Sequence, residues 1–486
     1  MTWSTSRCAD SVAEPVPGAA RLCVGLVVAL AAVAATAAGV VGLSRPVPTV
    51  LSEQVIYAFT PPDNGAGPLW DIGSTNLVRF GDRIVASGIA TISGERPYNN
   101  VHCTLWERAG GTWHRLHDTL SGRTREPCPV AQDASTGRLF VSTNPTMLPE
   151  HEAGGGPARP EVLQWQAGVL ALPPEVLLPQ WGAPAPQFSE HSYRSLAADP
   201  RRGDLILFQN VDYTHAEWAF RTADGQWRAQ GRLMWPWGAT YESPKPVRIC
   251  YPNVVLADRG VHFVGVSDVV EPNSEWRAWK RALTGKEWDY DFRRLFYTHA
   301  PDIARGTFGP WLEIANRERT AGRILPGDLR IDAAGAAHIV WQEQAIDVRL
   351  RERFFPAERQ RWEINYAVVH HGKVLRLRTL ASADEDRPGP IPHLPRFHVS
   401  KSGRVFVVYY ANGVAEDGST ISENRILEVR EDGSSGPSVR LDLMHPLSTF
   451  MTATPRAGTP ASDTLDLMGT APDSPNTMRY AQIRLP

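Results

Sequence analysis

One unit recurs through this chain: a short strand, a turn carrying Gly, then a strongly apolar strand. It reads LVRFGDRIVAS at Gly81, VAQDASTGRLFVS at Gly137 and SLAADPRRGDLILF at Gly203. It continues as NVVLADRGVHFVGV at Gly260, LRIDAAGAAHIVW at Gly335 and FHVSKSGRVFVVYY at Gly403. These glycines follow one another at 56, 66, 57, 75 and 68 residues, and TATPRAGTPASDTLDLMG is a weaker seventh copy. Gly supplies the positive φ that a tight hairpin needs. A second hairpin follows most copies, as in CTLWERAGGTWHRL, EWAFRTADGQWRAQ, NYAVVHHGKVLRL and ILEVREDGSSGPSVRL. Two hairpins make four antiparallel strands per copy, and seven copies predict an all-β, seven-bladed β-propeller. A β-helix would need shorter rungs, and a pair of sandwiches would not require one repeat of nearly constant length.

The ends support a closed ring. QVIYAF at 54–59 reads as a strand with no hairpin partner, and the last copy has room for three strands, finishing in MRYAQIRL. The first strand is expected to complete the last blade and hide the sheet edges. The 486 residues would otherwise suggest several domains. Removing about 45 residues of targeting segment leaves seven blades of about 63 residues, so 54–486 reads as one propeller domain. With 40 Gly, 40 Pro and 16 Trp, the composition suits turns and blade cores.

Residues 22–43 form an uncharged apolar run between Arg21 and Arg45, after a flank at 1–21. Its length predicts one N-terminal apolar helix, a transmembrane anchor in preference to a cleaved signal, although Ala35 to Ala37 would suit cleavage. Either way the body is expected outside the cytoplasm, membrane-anchored or secreted, touching the membrane through this helix only. Cys103, Cys128 and Cys250 lie in the body. An oxidising compartment allows Cys103 and Cys128 to pair, and Cys250 reads as a small buried apolar residue.

Charge narrows the function. Fifty basic residues stand against 52 acidic ones, so no global field draws in nucleic acid. Only five of the basic residues are Lys, and the Arg excess follows the Ala, Gly and Pro content of a GC-rich coding sequence. In a blade, the loop leading into the inner strand and the loop between the second and third strands open on one face. On the third blade these loops hold His191, Tyr193, Arg194, Tyr213 and His215. The fourth adds Arg248, Tyr251 and a long insertion with Asp268, Glu271, Arg277, Lys280 and Arg281. Other lead-in loops add Asn76, Asp328 and Arg396. His and Tyr can move protons and Arg can clamp a carboxylate, so the set suits an acidic sugar.

Residues 191–199, HSYRSLAAD, with Tyr213 to His215 and Tyr251-Pro252, resemble the BNR-repeat propeller proteins that include propeller-type ulvan lyases. The resemblance implies β-elimination on a uronate, with His191, His215 and Tyr251 catalytic. Tyr193, Arg194, Tyr213, Arg248 and Arg277 would then bind substrate, with Arg248 or Arg277 on the carboxylate. Two rival readings are a sialidase-like hydrolase and a non-catalytic glycan-binding scaffold. The sialidase box Ser/Thr-x-Asp-x-Gly-x-x-Trp is approached once, at Thr222 to Trp227, and is one residue short. The expected partner is an acidic polysaccharide or glycan, and the chain is expected to be a monomer. No cofactor is expected, and no spacing resembles a zinc or EF-hand site. His262 and His338 read as satisfied core residues. The segment 346–362 reads as a short charged helix capping blade five.

Overall fold

The computed structural model describes residues 47–486. The expected apolar helix at 22–43 and its flank at 1–21 lie outside the described residues. Seven four-stranded antiparallel sheets follow one another along the chain. Their inner strands are Leu77–Phe80, Val130–Asp133, Arg194–Ala198, Ile249–Ala257, Arg323–Ile331, Gly389–Val399 and Thr449–Thr452. We number the blades 1 to 7 in that order. The first and last blades explain how the ring closes. Thr49–Ala58 pairs antiparallel with Ser474–Arg484 and becomes the outer strand of blade 7. The strand expected at 54–59 thus starts five residues earlier, and it covers an edge that would otherwise be open.

The core lies between neighbouring sheets. Phe208, Trp218 and Phe220 of blade 3 pack with Val254, Phe263 and Phe296 of blade 4 in one cluster. Alternation along each strand sends one face to the preceding blade and the other to the following one, which is why the strands read as nearly continuous apolar runs. Truncating one of these buried aromatics costs ~3–5 kcal/mol. Cys103 and Cys128 form a disulfide that ties blade 1 to the loop leading into blade 2. Cys250 is a buried free thiol. His262 Nδ1 and His338 Nδ1 bond the hydroxyls of Tyr297 and Tyr366 at 2.7 and 2.6 Å, so both are satisfied inside their blades.

Two insertions depart from the simple blade, and both hold an α-helix. Between the second and third strands of blade 4 lies α1 (Ser274–Thr284). Asn273 caps it by accepting from the Trp276 amide, and Gly285 ends it in the left-handed conformation. The corresponding loop of blade 5 holds α2 (Val348–Phe354), capped by Asp347. Trp276 and Trp279 of α1 meet Phe354 edge-on, so the two helices form one wall beside the mouth of the ring. The turn at Pro455–Ala457 of blade 7 packs against the inner strands of blades 2 to 5. There Arg456 pairs with Asp328 at 2.7 Å and donates to the carbonyl of Gly73. Among the described residues no helix is long and apolar enough to cross a membrane.

Candidate functional site

The lead-in loops of blades 1 to 4 converge on one open mouth. Tyr193 lies just ahead of the inner strand of blade 3, and Tyr251 lies within that of blade 4. Tyr251 sits at a bulge between Cys250 and Asn253, with φ 51°. The bulge lifts its ring out of the strand alternation. Above it passes the lead-in loop of blade 1. A Cβ on Gly73 would lie 2.2 Å from the Tyr251 carbonyl oxygen, so only Gly allows this approach. That approach brings in Trp70. Its ring stacks on Tyr193 at 5.0 Å and 15°, and meets Tyr251 edge-on at 6.0 Å. Tyr193 and Tyr251 are themselves 5.2 Å apart, and His191 sits 5.5 Å from Trp70.

His191 is oriented from below. Its Nδ1–H donates to Glu126 Oε1 at 2.7 Å, and the same carboxylate accepts the Ser192 amide. Glu126 is 2 % exposed. The bond fixes the proton on Nδ1 and leaves Nε2 as the lone-pair nitrogen. Nε2 has no hydrogen-bond partner among the described residues and is not sealed from solvent. Beneath Glu126 lies Asp71, whose carboxyl is pushed up to about 7 by burial and by the Glu126 charge. Its Oδ1 accepts the Gly73 amide at 3.1 Å. Burial also pushes the Tyr251 phenol well above its usual value, so Tyr251 is a neutral proton donor at physiological pH.

The other side of the mouth is a guanidinium among rings. Arg248 lies 4.0 Å over Tyr213, with Tyr290 and Tyr193 at 5.4 and 5.7 Å. Asp268 holds it at 2.6 Å, and it is 6 % exposed. Tyr213 and Tyr290 share a hydroxyl contact of 3.0 Å. Next to Tyr251, Phe292 carries Arg323 over its face at 5.7 Å. Arg323 is exposed and has no carboxylate partner among the described residues.

The structure therefore brings together His191, Tyr193, Tyr213, Arg248 and Tyr251. It leaves three of the expected site residues outside this group. His215 opens the third strand of blade 3, and alternation sets it on the same face as Glu217. Its Nδ1 meets the Thr214 hydroxyl at 2.7 Å and its Nε2 meets Glu217 at 3.1 Å. Arg194 is 1 % exposed and donates to the Pro127 carbonyl beneath the mouth. Arg277 stands on the exposed face of α1. Asn76, Asp328 and Arg396 are buried and serve contacts between blades.

Trp70, Asp71, Glu126, Tyr290 and Arg323 were not singled out by the sequence reading. The lead-in rule reaches the first three, because Trp70 and Asp71 sit ahead of Leu77 and Glu126 ahead of Val130. No group of three or more His, Cys, Asp or Glu poised to hold a metal occurs among the described residues.

No family model matches the chain, and no curated protein matches it. The BNR-repeat resemblance therefore rests on the motifs quoted above. Solved structures do align. The polysaccharide lyase Uly1 aligns at 11% identity over 85% of this chain and 90% of its own, with a TM-score of 0.47. An α-L-arabinanase of Penicillium chrysogenum does so at 9% identity over 90% and 98%, with a TM-score of 0.42. The GH93 α-L-arabinofuranosidase of Fusarium graminearum does so at 10% identity over 73% and 93%, with a TM-score of 0.38. The seven blades themselves stand on the strand pairing described above.

Proposed function

We propose that this propeller cleaves an acidic polysaccharide by β-elimination at a uronate, outside the cytoplasm. The observation that carries the reading is the His191–Glu126 pair opening onto a mouth that also holds a neutral phenol and an unpaired guanidinium. In this reading His191 Nε2 takes the proton from C5 of the uronate. The C5 electrons form the C4–C5 double bond, and the C4–O bond breaks. The Tyr251 hydroxyl gives its proton to the departing oxygen, and the histidinium proton passes to solvent as the phenol is restored. Arg323 neutralises the substrate carboxylate, which stabilises the charge that develops as C5 loses its proton. This role falls to Arg323 because Asp268 already occupies Arg248. Trp70, backed by the buried Tyr193 ring, supplies a face for the sugar rings.

The test is direct. The soluble body, residues 47–486, is incubated with a panel of uronate polymers, and ultraviolet absorbance follows the unsaturated product. Absorbance that rises with wild type and falls at least about 100-fold with His191→Ala supports the reading. Absence of product on every polymer with the wild-type protein refutes it. Sialoside hydrolysis would point to the rival hydrolase, and glycan binding without turnover to a scaffold.

A further inference from the structure

Beside the mouth, between the insertion of blade 4 and that of blade 5, lies a cleft of about 540 Å³. That volume is within the range of sites that hold small organic ligands. The cleft shares Tyr290, Phe292 and Arg323 with the mouth, so the two are continuous. Its floor is a set of matched charges. Lys280 is 2 % exposed and pairs with Glu271 and Asp289 at 2.7 Å each. Arg349 pairs with Asp289 and Asp347, and Arg293 with Glu271 and, at 3.5 Å, with Glu318.

What the floor leaves unspent faces the cleft. Arg323 is the lining guanidinium that no carboxylate reaches among the described residues. Among the described residues neither the Gln344 carboxamide nor the Trp362 indole N–H has a hydrogen-bond partner. Asp291 is 2 % exposed; its Oδ1 takes the Ser267 hydroxyl, and its buried Oδ2 faces Arg293 at 3.8 Å without a hydrogen bond. Burial pushes this carboxyl up to about 7, against the opposing charge of Arg293. A ring face, a free cation, a carboxamide and a buried carboxyl oxygen in one cleft are the complement of a sugar with a negative group.

We propose that this cleft is a second binding site, for an anionic sugar unit of the same chain whose uronate occupies the mouth. This inference rests on the reading above and makes the protein a binder of chain interiors rather than of single terminal units. Trp362 stacks on the sugar ring, Gln344 and Asp291 take its hydroxyls, and Arg323 sits between the two anionic units. The α1–α2 wall gives the cleft its outer side. Trp279 Nε1–H donates to the Arg349 carbonyl at 3.0 Å, and Arg353 pairs with Glu275 at 3.1 Å.

The test separates the cleft from the mouth. Binding of ulvan- and pectin-derived oligosaccharides of two and of six units is measured by calorimetry on the His191→Ala protein, which holds substrate without turning it over. The six-unit chain is expected to bind at least about tenfold tighter than the two-unit chain. Adding Trp362→Ala removes that advantage and leaves two-unit binding unchanged. Adding Gln344→Glu, which places a negative charge in the cleft without emptying it, does the same. If both variants keep the advantage of the longer chain, the second site is wrong and the proposed function stands. If no oligosaccharide of either length binds, the proposed function falls, and this inference with it.

Discussion

Asp71 is a buried acid that folding must carry beside a second one, and its replacement by Asn makes a sharp test of the site's electrostatics. The residue is 5 % exposed, and its carboxyl lies at about 7 in the fold against 3.8 in the open chain. Burial is the largest cause, the charge of Glu126 adds to it, and Arg194 and Arg456 oppose both. The sign follows from proton counting. Between about pH 4 and pH 7 the native state keeps the Asp71 proton while the unfolded chain has lost it. The stability tied to this group is therefore fully present below pH 4 and is lost as pH rises towards 7. The loss runs at ~1.4 kcal/mol per pH unit and reaches ~4 kcal/mol. Asn has the same shape, still accepts the Gly73 amide and carries no charge. Asp71→Asn is thus expected to match wild type near pH 3.5 and to exceed it by about 2–4 kcal/mol near pH 7.5. Guanidinium unfolding of both proteins across that range, followed by Trp fluorescence, measures the gap. Taking the difference removes the other titrating groups, Asp291 included. A gap that stays flat with pH, or an Asn variant weaker than wild type near pH 7.5, would refute the reasoning.

Two further outcomes are expected. Glu126→Gln keeps the contact with His191 but removes its charge, a loss of ~1.5–3 kcal/mol that corresponds to a 10- to 100-fold fall in kcat/KM on the cleaved polymer. Nitrogen-15 spectra of the variant should also show the Nδ1–H tautomer of His191 giving way to a mixture, whereas an unchanged tautomer would remove Glu126 from this role. The Cys103–Cys128 bridge closes a loop of 25 residues, so the double Ser variant should lose ~3 kcal/mol of unfolding free energy in denaturant titrations, and a loss below ~1 kcal/mol would count against that estimate.

The ring was legible because its signals are local. A Gly turn between alternating strands needs only a dozen residues, and seven copies, the last one strand short, leave one closed architecture that the unpaired first strand completes. The two loops that open on one face gathered Tyr193, Tyr213, Arg248 and Tyr251 there, since adjacent blades hold them in fixed order. His215 stands one position past the loop. Tyr213 is still in the loop, whereas His215 has entered the strand, where alternation pairs it with Glu217.

Trp70 and Glu126 lie far from His191 in the chain; the lead-in rule puts them on the same face but does not bring them to it. Ring closure sets blade 1 beside the mouth of blades 3 and 4, and the absent Cβ of Gly73 lets its loop descend to Tyr251. The character of each guanidinium was decided in the same way. Arg194, Arg248, Arg277 and Arg323 are alike as residues, yet burial against Asp268 neutralises Arg248, while Arg323 is left exposed beside Phe292. By itself the sequence determined the repeat, the number of blades and the face that opens. Only the tertiary structure decided which charges are spent and which remain free, because pairing and desolvation depend on neighbours from other blades.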